Sequence, residues 1–188
     1  IVKPVLELLA GIPTVVYGFL ALTAITPILQ PLLGIPNIFS ILTAGLVMGF
    51  MIVPTVASLS EDAMSAVPAA LRQGSYALGA NKRITTLRVV FPAALSGIIA
   101  AIVLGLSRAV GETMILAVAG GNIAQLTGDP RDQAQTMTAF IAQIASGDAP
   151  QGSPVYYSLF AVGALLLGIT LVINLISIRL VRRFRQAY

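Results

Sequence analysis

The chain has 188 residues, 57% of them hydrophobic and only 10% charged, with mean hydropathy +0.93 and a formal net charge of +4. A soluble domain carries about 25% charged residues, so a soluble globular chain is excluded and a polytopic membrane protein fits. The absence of cysteine and histidine excludes disulfides, thiol chemistry, histidine general-base chemistry and the usual transition-metal sites.

The expected fold is all-α: one transmembrane helix bundle over residues 1–188, with about four spans and no metal or cofactor. The basic residues stand beside apolar runs, which marks them as membrane flanks and not as a nucleic-acid surface. The start Ile1-Val2-Lys3 has neither an initiator Met nor a signal-peptide pattern. It reads as a fragment that lacks its N-terminal part.

Between Glu7 and Glu61 there is no charge, a run too long for one span of about 20 residues and suited to two. Pro31, Gly34 and Pro36 place the break at Gln30–Asn37. The first span is then roughly Val5–Leu29, with Pro13 and Pro27 inside it, and the second roughly Ile38–Leu59, with Pro54. Glu7 reads as an interfacial residue, with a place in the pathway as the alternative.

A polar segment of about residues 61–92 follows. Glu61 and Asp62 open it, Ser60 is placed to cap a short helix, and Pro68–Leu78 reads as one or two short helices. Leu71, Tyr76 and Leu78 are its candidate apolar contacts, and Gly79 suits a helix C-terminus. Within it the island Leu71–Pro92 carries Arg72, Lys82, Arg83 and Arg88, four of the eleven basic residues.

The third span runs from about Val89 to Ala119 and holds Arg108 and Glu112. A loop over about residues 120–153 contains Met137, Phe140, Ile141 and Ile144 at helical spacing. These predict an amphipathic helix on the membrane or against the bundle. The last span, Tyr156–Ile178, is uncharged and ends in the basic flank Arg179, Arg182, Arg183 and Arg185. Counting Lys and Arg puts Lys3, the island and the C-terminal flank in the cytoplasm, with the Gln30–Asn37 turn and the 120–153 loop outside.

Arg108 and Glu112 are four residues apart and are expected on one helix face. Each costs about 2.5–3.5 kcal/mol at a helix centre, and Arg108 lies about 24 Å along a helix begun at Pro92. The pair is therefore expected to face the bundle interior or water. One reading is a structural ion pair. The other is an oxyanion site, with the planar Arg108 fork as donor, Gly111 allowing close approach and Thr113 adding a hydroxyl. Beside such a path, the Glu112 carboxylate would accept a hydrogen bond from protonated phosphate and repel ionised sulfate.

Gln73-Gly74-Ser75, three residues, Gly79 followed by Ala80, then Val89-Val90-Phe91-Pro92 resembles the coupling loop of binding-protein-dependent ABC importer permeases. Their pattern is Glu-Ala-Ala, three residues, Gly, nine residues, Ile-x-Leu-Pro. Gly79 and Pro92 match, whereas Gln73-Gly74-Ser75, Val89 and Phe91 depart from it. The resemblance implies a short helix that docks on a separate ATPase. Arg108-Ala-Val-Gly-Glu112-Thr113-Met114 and Ile12-Pro13-Thr14-Val15-Val16-Tyr17-Gly18 resemble stretches of phosphate-specific (Pst-type) permeases. Met114 and Gly121-Asn122 resemble the C-type subunit more than its A-type partner.

These resemblances imply a permease subunit of an ATP-driven phosphate importer in a bacterial or archaeal cytoplasmic membrane. The implied partners are an ATP-binding subunit dimer, a second homologous permease forming a heterodimer, an external phosphate-binding protein and membrane lipid, with no nucleic acid. Arg108, Glu112 and Thr113 are the implied substrate pathway. Gln73, Gly74, Ser75, Gly79, Ala80 and Pro92 are the implied ATPase-coupling residues. The chain has no P-loop, so it is not expected to hydrolyse ATP itself. The alternatives are a permease for another oxyanion such as sulfate or molybdate, an ion-coupled secondary transporter with Glu112 as proton carrier, and a structural membrane subunit.

Overall fold

The computed structural model describes residues 2–184, without the side chains of residues 2, 7, 148 and 182–184. The expectation for Glu7 and most of the C-terminal basic flank lie outside the described residues. Among those described, every regular element is helical. We number them α1 (Val2–Ala10), α2 (Thr14–Leu33), α3 (Ile41–Ser65), α4 (Ala69–Ala77), α5 (Lys82–Val110), α6 (residues 114–120), α7 (Met137–Gly147) and α8 (Pro154–Phe184). Four of them, α2, α3, α5 and α8, are long and apolar enough to cross a membrane.

The first span begins at Thr14 and not at Val5. Pro13 holds φ −57° and ψ 136° at the N-cap of α2, so it separates α1 from α2 instead of kinking one helix. Tyr17 ties the two back together, its hydroxyl donating to the Leu9 carbonyl at 2.8 Å. Farther on, α2 widens into a π-type turn at Ala21–Ile25, just ahead of Pro27. The same turn recurs in α5 at Thr86–Val90, ahead of Pro92. In both, a wider turn accommodates a ring that cannot donate and that crowds the carbonyl four residues back.

The break after α2 falls where expected. Leu33 ends the helix and Gly34 closes it in the left-handed region at φ +63°. The second span is longer than the expected Ile38–Leu59. Ser60 lies inside α3 and caps nothing, and Glu61 and Asp62 stand near its C-terminal end, not at the start of a new helix. Acidic groups are disfavoured there by the helix dipole, and Lys3 of α1 offsets this at 2.8 Å from Asp62 and 4.0 Å from Glu61. At the other end of α3 no side chain caps the helix. The N–H groups at its start instead donate to α6 and the loop after it: Ser40 to the Ala119 carbonyl at 2.9 Å, Ile41 to Asp132 at 3.0 Å and Leu42 to Pro130 at 2.7 Å.

The third span starts at Lys82, before the expected Val89, and stops at Val110, before the expected Ala119. Gly111 ends it, and residues 114–120 form the separate α6. The predicted amphipathic helix exists as α7. Ile144 is buried and α7 packs against α8 and α6, so it is docked on the bundle. The last span is longer than expected, reaching Phe184. It packs on α5 and α7 and leaves its other faces exposed.

One core gathers Tyr17, Ala21, Ala44, Val47, Met51, Ile115, Leu116 and Ala119, joining α2, α3 and α6. A smaller one, Val67, Val90 and Ala94 with Leu71 packed against it, joins the 61–92 segment to α5. Between them run α3 and α5, the most extensively packed pair, brought close by small residues as helices in lipid require.

Candidate functional site

The residues singled out in the sequence lie at the two ends of α5. Its start meets the polar segment, and Arg108 stands in its last turn. At 1.5 Å per residue, Lys82 and Arg108 are separated by about 39 Å of helix.

At the first end, α4 closes in a Schellman arrangement. The Ala80 N–H donates to the Ser75 carbonyl at 3.2 Å and the Gly79 N–H to Tyr76 at 2.9 Å, with Gly79 at φ +80°. Asn81 then caps α5, its side chain accepting from the Ile84 N–H at 2.9 Å. The Ser75 and Thr85 hydroxyls are hydrogen-bonded at 2.9 Å, so α4 is tied to the first turn of α5. Arg72 donates to the Met64 carbonyl at 2.7 Å, tying α4 to the end of α3. Gln73, Gly74, Gly79 and Pro92 are exposed, Ala80 is half-buried, and Leu71 packs inward. Leu78 is 90% exposed, an apolar tip with exposed Lys82, Arg83 and Arg88 on the same polar segment.

At the second end the structure separates the pair that spacing had placed on one helix face. Arg108 belongs to α5, whereas Glu112 lies beyond the turn at Gly111. The buried Glu112 carboxylate turns to α6, where one oxygen accepts from the Met114 N–H at 3.0 Å and the Ile115 N–H at 3.3 Å. This is N-cap geometry. Each charge is thus matched to a helix end: the cation to the C-terminus of α5, the carboxylate to the N-terminus of α6. No ion pair joins them among the described residues, which removes the structural ion-pair reading.

The turn is held from two further sides. The Thr138 hydroxyl of α7 donates to the Glu112 carbonyl at 2.8 Å, and Thr113 donates to the Gly111 carbonyl at 3.3 Å. Arg108 itself is exposed, and its Nη1 donates to the Thr55 hydroxyl of α3 at 3.3 Å. On the neighbouring face Ser107 donates to Asn174 of α8 at 3.1 Å, at the edge of a cleft of about 740 Å³ between α5 and α8. Sequence reasoning missed Thr55, Thr138 and Asn174. A lone Asn in an apolar span was a usable signal for the last, whereas nothing local distinguishes Thr55.

Outside the spans, Asp129 and Arg131 form a close pair at 2.7 Å in the loop after α6. The side-chain hydrogen bond from Arg131, then its backbone N–H, lower the Asp129 pKa from 3.8 to about 2. Arg131 also donates to the Leu33 carbonyl at 3.3 Å, fastening this loop to the end of α2.

The chain is 40% identical over 167 residues to the probable ABC transporter permease protein YqgH of Bacillus subtilis, covering 89% of this chain and 54% of that protein. It is 32% identical to the phosphate transport system permease protein PstC of Haemophilus influenzae, over 96% of this chain and 62% of the relative. With PstC 1 of Mycobacterium tuberculosis the identity is 37%, over 95% of this chain and 59% of the relative. The chain therefore spans somewhat more than half the length of these curated relatives. Its fold is similar to that of a chain in an inward-facing structure of the MetNI methionine ABC transporter, with TM-score 0.71 and 20% identity, over 98% of this chain and 74% of that one. A model of the family described as binding-protein-dependent transport system inner membrane component matches residues 1–186, and the chain belongs to that family.

Proposed function

We propose that the chain is the membrane-spanning permease subunit of an ATP-driven importer that carries inorganic phosphate across a bacterial or archaeal cytoplasmic membrane. The observation that carries this reading is Arg108: a guanidinium in the last turn of a span, exposed, with one oxygen of the neighbouring carboxylate turned to a helix end. Relatives that match 95% or more of the chain are named phosphate transport system permeases. A planar cationic fork without a carboxylate partner suits a tetrahedral oxyanion.

In this reading Arg108 contacts the anion, Glu112 braces the turn beside it and Thr113 stands at its edge. The segment of about residues 61–92 is cytoplasmic and docks on an ATP-binding subunit dimer. Gln73, Gly74 and Ser75 lie on its helix, Gly79 and Ala80 close that helix, and Pro92 marks its far limit. The loop of about 120–153 faces an external phosphate-binding protein, and a second, homologous permease completes a heterodimer. Closure of the ATPase dimer pushes α4. Through the Ser75–Thr85 bond that push passes into α5 and along it to Arg108.

The test is uptake of radiolabelled phosphate by the assembled importer in proteoliposomes. Arg108→Ala is expected to abolish ATP-dependent uptake while the complex still assembles. Wild-type uptake by that variant refutes the reading. So does purification of the native complex without an ATPase subunit.

A further inference from the structure

Several hydroxyl side chains in the spans return their proton to their own helix. Thr23 donates to Phe19, Thr86 to Lys82, Ser158 to Val155 and Thr170 to Leu166, all to backbone carbonyls. That is the usual way a hydroxyl is satisfied in an apolar span. Thr55, like the buried Thr43 of the same helix, does not do this. Its oxygen accepts from Arg108 Nη1 at 3.3 Å, and among the described residues its own O–H has no acceptor.

The placement of Thr55 follows from the packing of α3 on α5. A Cβ at Gly97 would lie 2.5 Å from the Ala63 Cβ, and one at Gly105 would lie 2.7 Å from Val56 Cγ2 and 2.8 Å from Ile52 Cγ2. The two helices run antiparallel with these residues in register. Thr55 lies between Ile52 and Val56, level with Gly105, and the Arg108 side chain reaches back to it from three residues farther along α5. The close-packed backbones thus hold Thr55 within reach of Arg108.

We infer that Thr55 is a second anion-contacting residue, forming with Arg108 a two-helix donor set for a tetrahedral oxyanion. This rests on the reading of Arg108 as the anion contact. A hydroxyl has one proton and two lone pairs. With one lone pair taken by Arg108, the proton is left to point at an anion oxygen held by the same guanidinium. Arg108 Nε and Nη2 likewise have no acceptor among the described residues. Arg108 and the Thr55 proton offer donors, and one oxygen of the Glu112 carboxylate is held by α6.

The experiment uses the full importer in proteoliposomes, with radiolabelled phosphate as the probe and the amount of assembled complex measured for each variant. Thr55→Val keeps the shape and removes the hydroxyl, and it is expected to raise the KM for phosphate about tenfold, as loss of a hydrogen bond to a charged partner does. Thr55→Ser, which restores the hydroxyl, is expected to stay within about twofold of the wild type. If Thr55→Val keeps the wild-type KM while Arg108→Ala abolishes uptake, Thr55 is not a contact and the inference falls alone. A drop in assembled complex or in maximal rate with unchanged KM assigns Thr55 a structural role and overturns it too. Normal uptake by Arg108→Ala removes the anion site and the inference together.

Discussion

Gly97 and Ala63 stand face to face across α5 and α3 so closely that a Cβ on Gly97 would lie 2.5 Å from the Ala63 Cβ. A Cβ cannot rotate away, so the backbones themselves must part if a side chain is added. In lipid, helices associate by packing and not by hydrophobic burial, which makes such contacts the main attraction between them.

Gly97→Val is therefore expected to destabilise the α3–α5 pair by about 1–3 kcal/mol, read as a lowered thermal midpoint of the detergent-solubilised protein. Gly74→Ala, in α4, where a Cβ meets nothing within 4 Å, is the control and is expected to change little. Equal midpoints for Gly97→Val and the wild type reject the close approach.

Glu112→Ala removes the acceptor for the Met114 and Ile115 N–H groups. The expected cost is about 1–2 kcal/mol, that of a lost N-cap. Hydrogen exchange over residues 114–120 should speed up accordingly. Glu112→Gln keeps a carbonyl oxygen in place and should protect these amides nearly as well. Unchanged exchange in Glu112→Ala shows that the carboxylate does not cap α6.

Ser75 and Thr85 hold α4 to α5 through one hydrogen bond of 2.9 Å, with Thr85 fully buried. A double-mutant cycle with Ser75→Ala and Thr85→Val is expected to give a coupling energy of about 0.5–1.5 kcal/mol. Additive losses, with no coupling, place the two hydroxyls apart in the folded protein.

Asp129 titrates in an accessible loop, its pKa held at about 2 by Arg131. The folded value lies below the unfolded one, so the contribution of the pair is present above pH 3.8 and is lost as pH falls through about 2. Carboxyl NMR is expected to show a midpoint near the low value in the wild type and nearer 3.8 in Arg131→Ala. A wild-type midpoint at 3.8 excludes the close pair.

Four spans, the break at Gly34, the polar segment and the αL position of Gly79 were all legible in the chain, because hydropathy, proline and glycine act over a few residues. The same local rules misplaced three boundaries. Pro13 broke a helix that it was expected to kink. Glu61 and Asp62 stayed helical because Lys3, far away in sequence, compensates them. Spacing put Arg108 and Glu112 on one face, which holds only while the helix continues, and α5 stops at Val110. Glutamate is not among the preferred N-caps, so its capping role left no local sign.

By itself the sequence determined that this is a helical membrane protein with a basic, glycine-closed segment between spans and one arginine in the second half of the third. Those properties depend on transfer free energies and backbone preferences of short stretches. Only the tertiary structure decided what that arginine faces. The glycines of α5 let α3 approach, the turn at Gly111 carries Glu112 away to α6, and Arg108 is left beside Thr55, a residue 53 positions earlier in the chain.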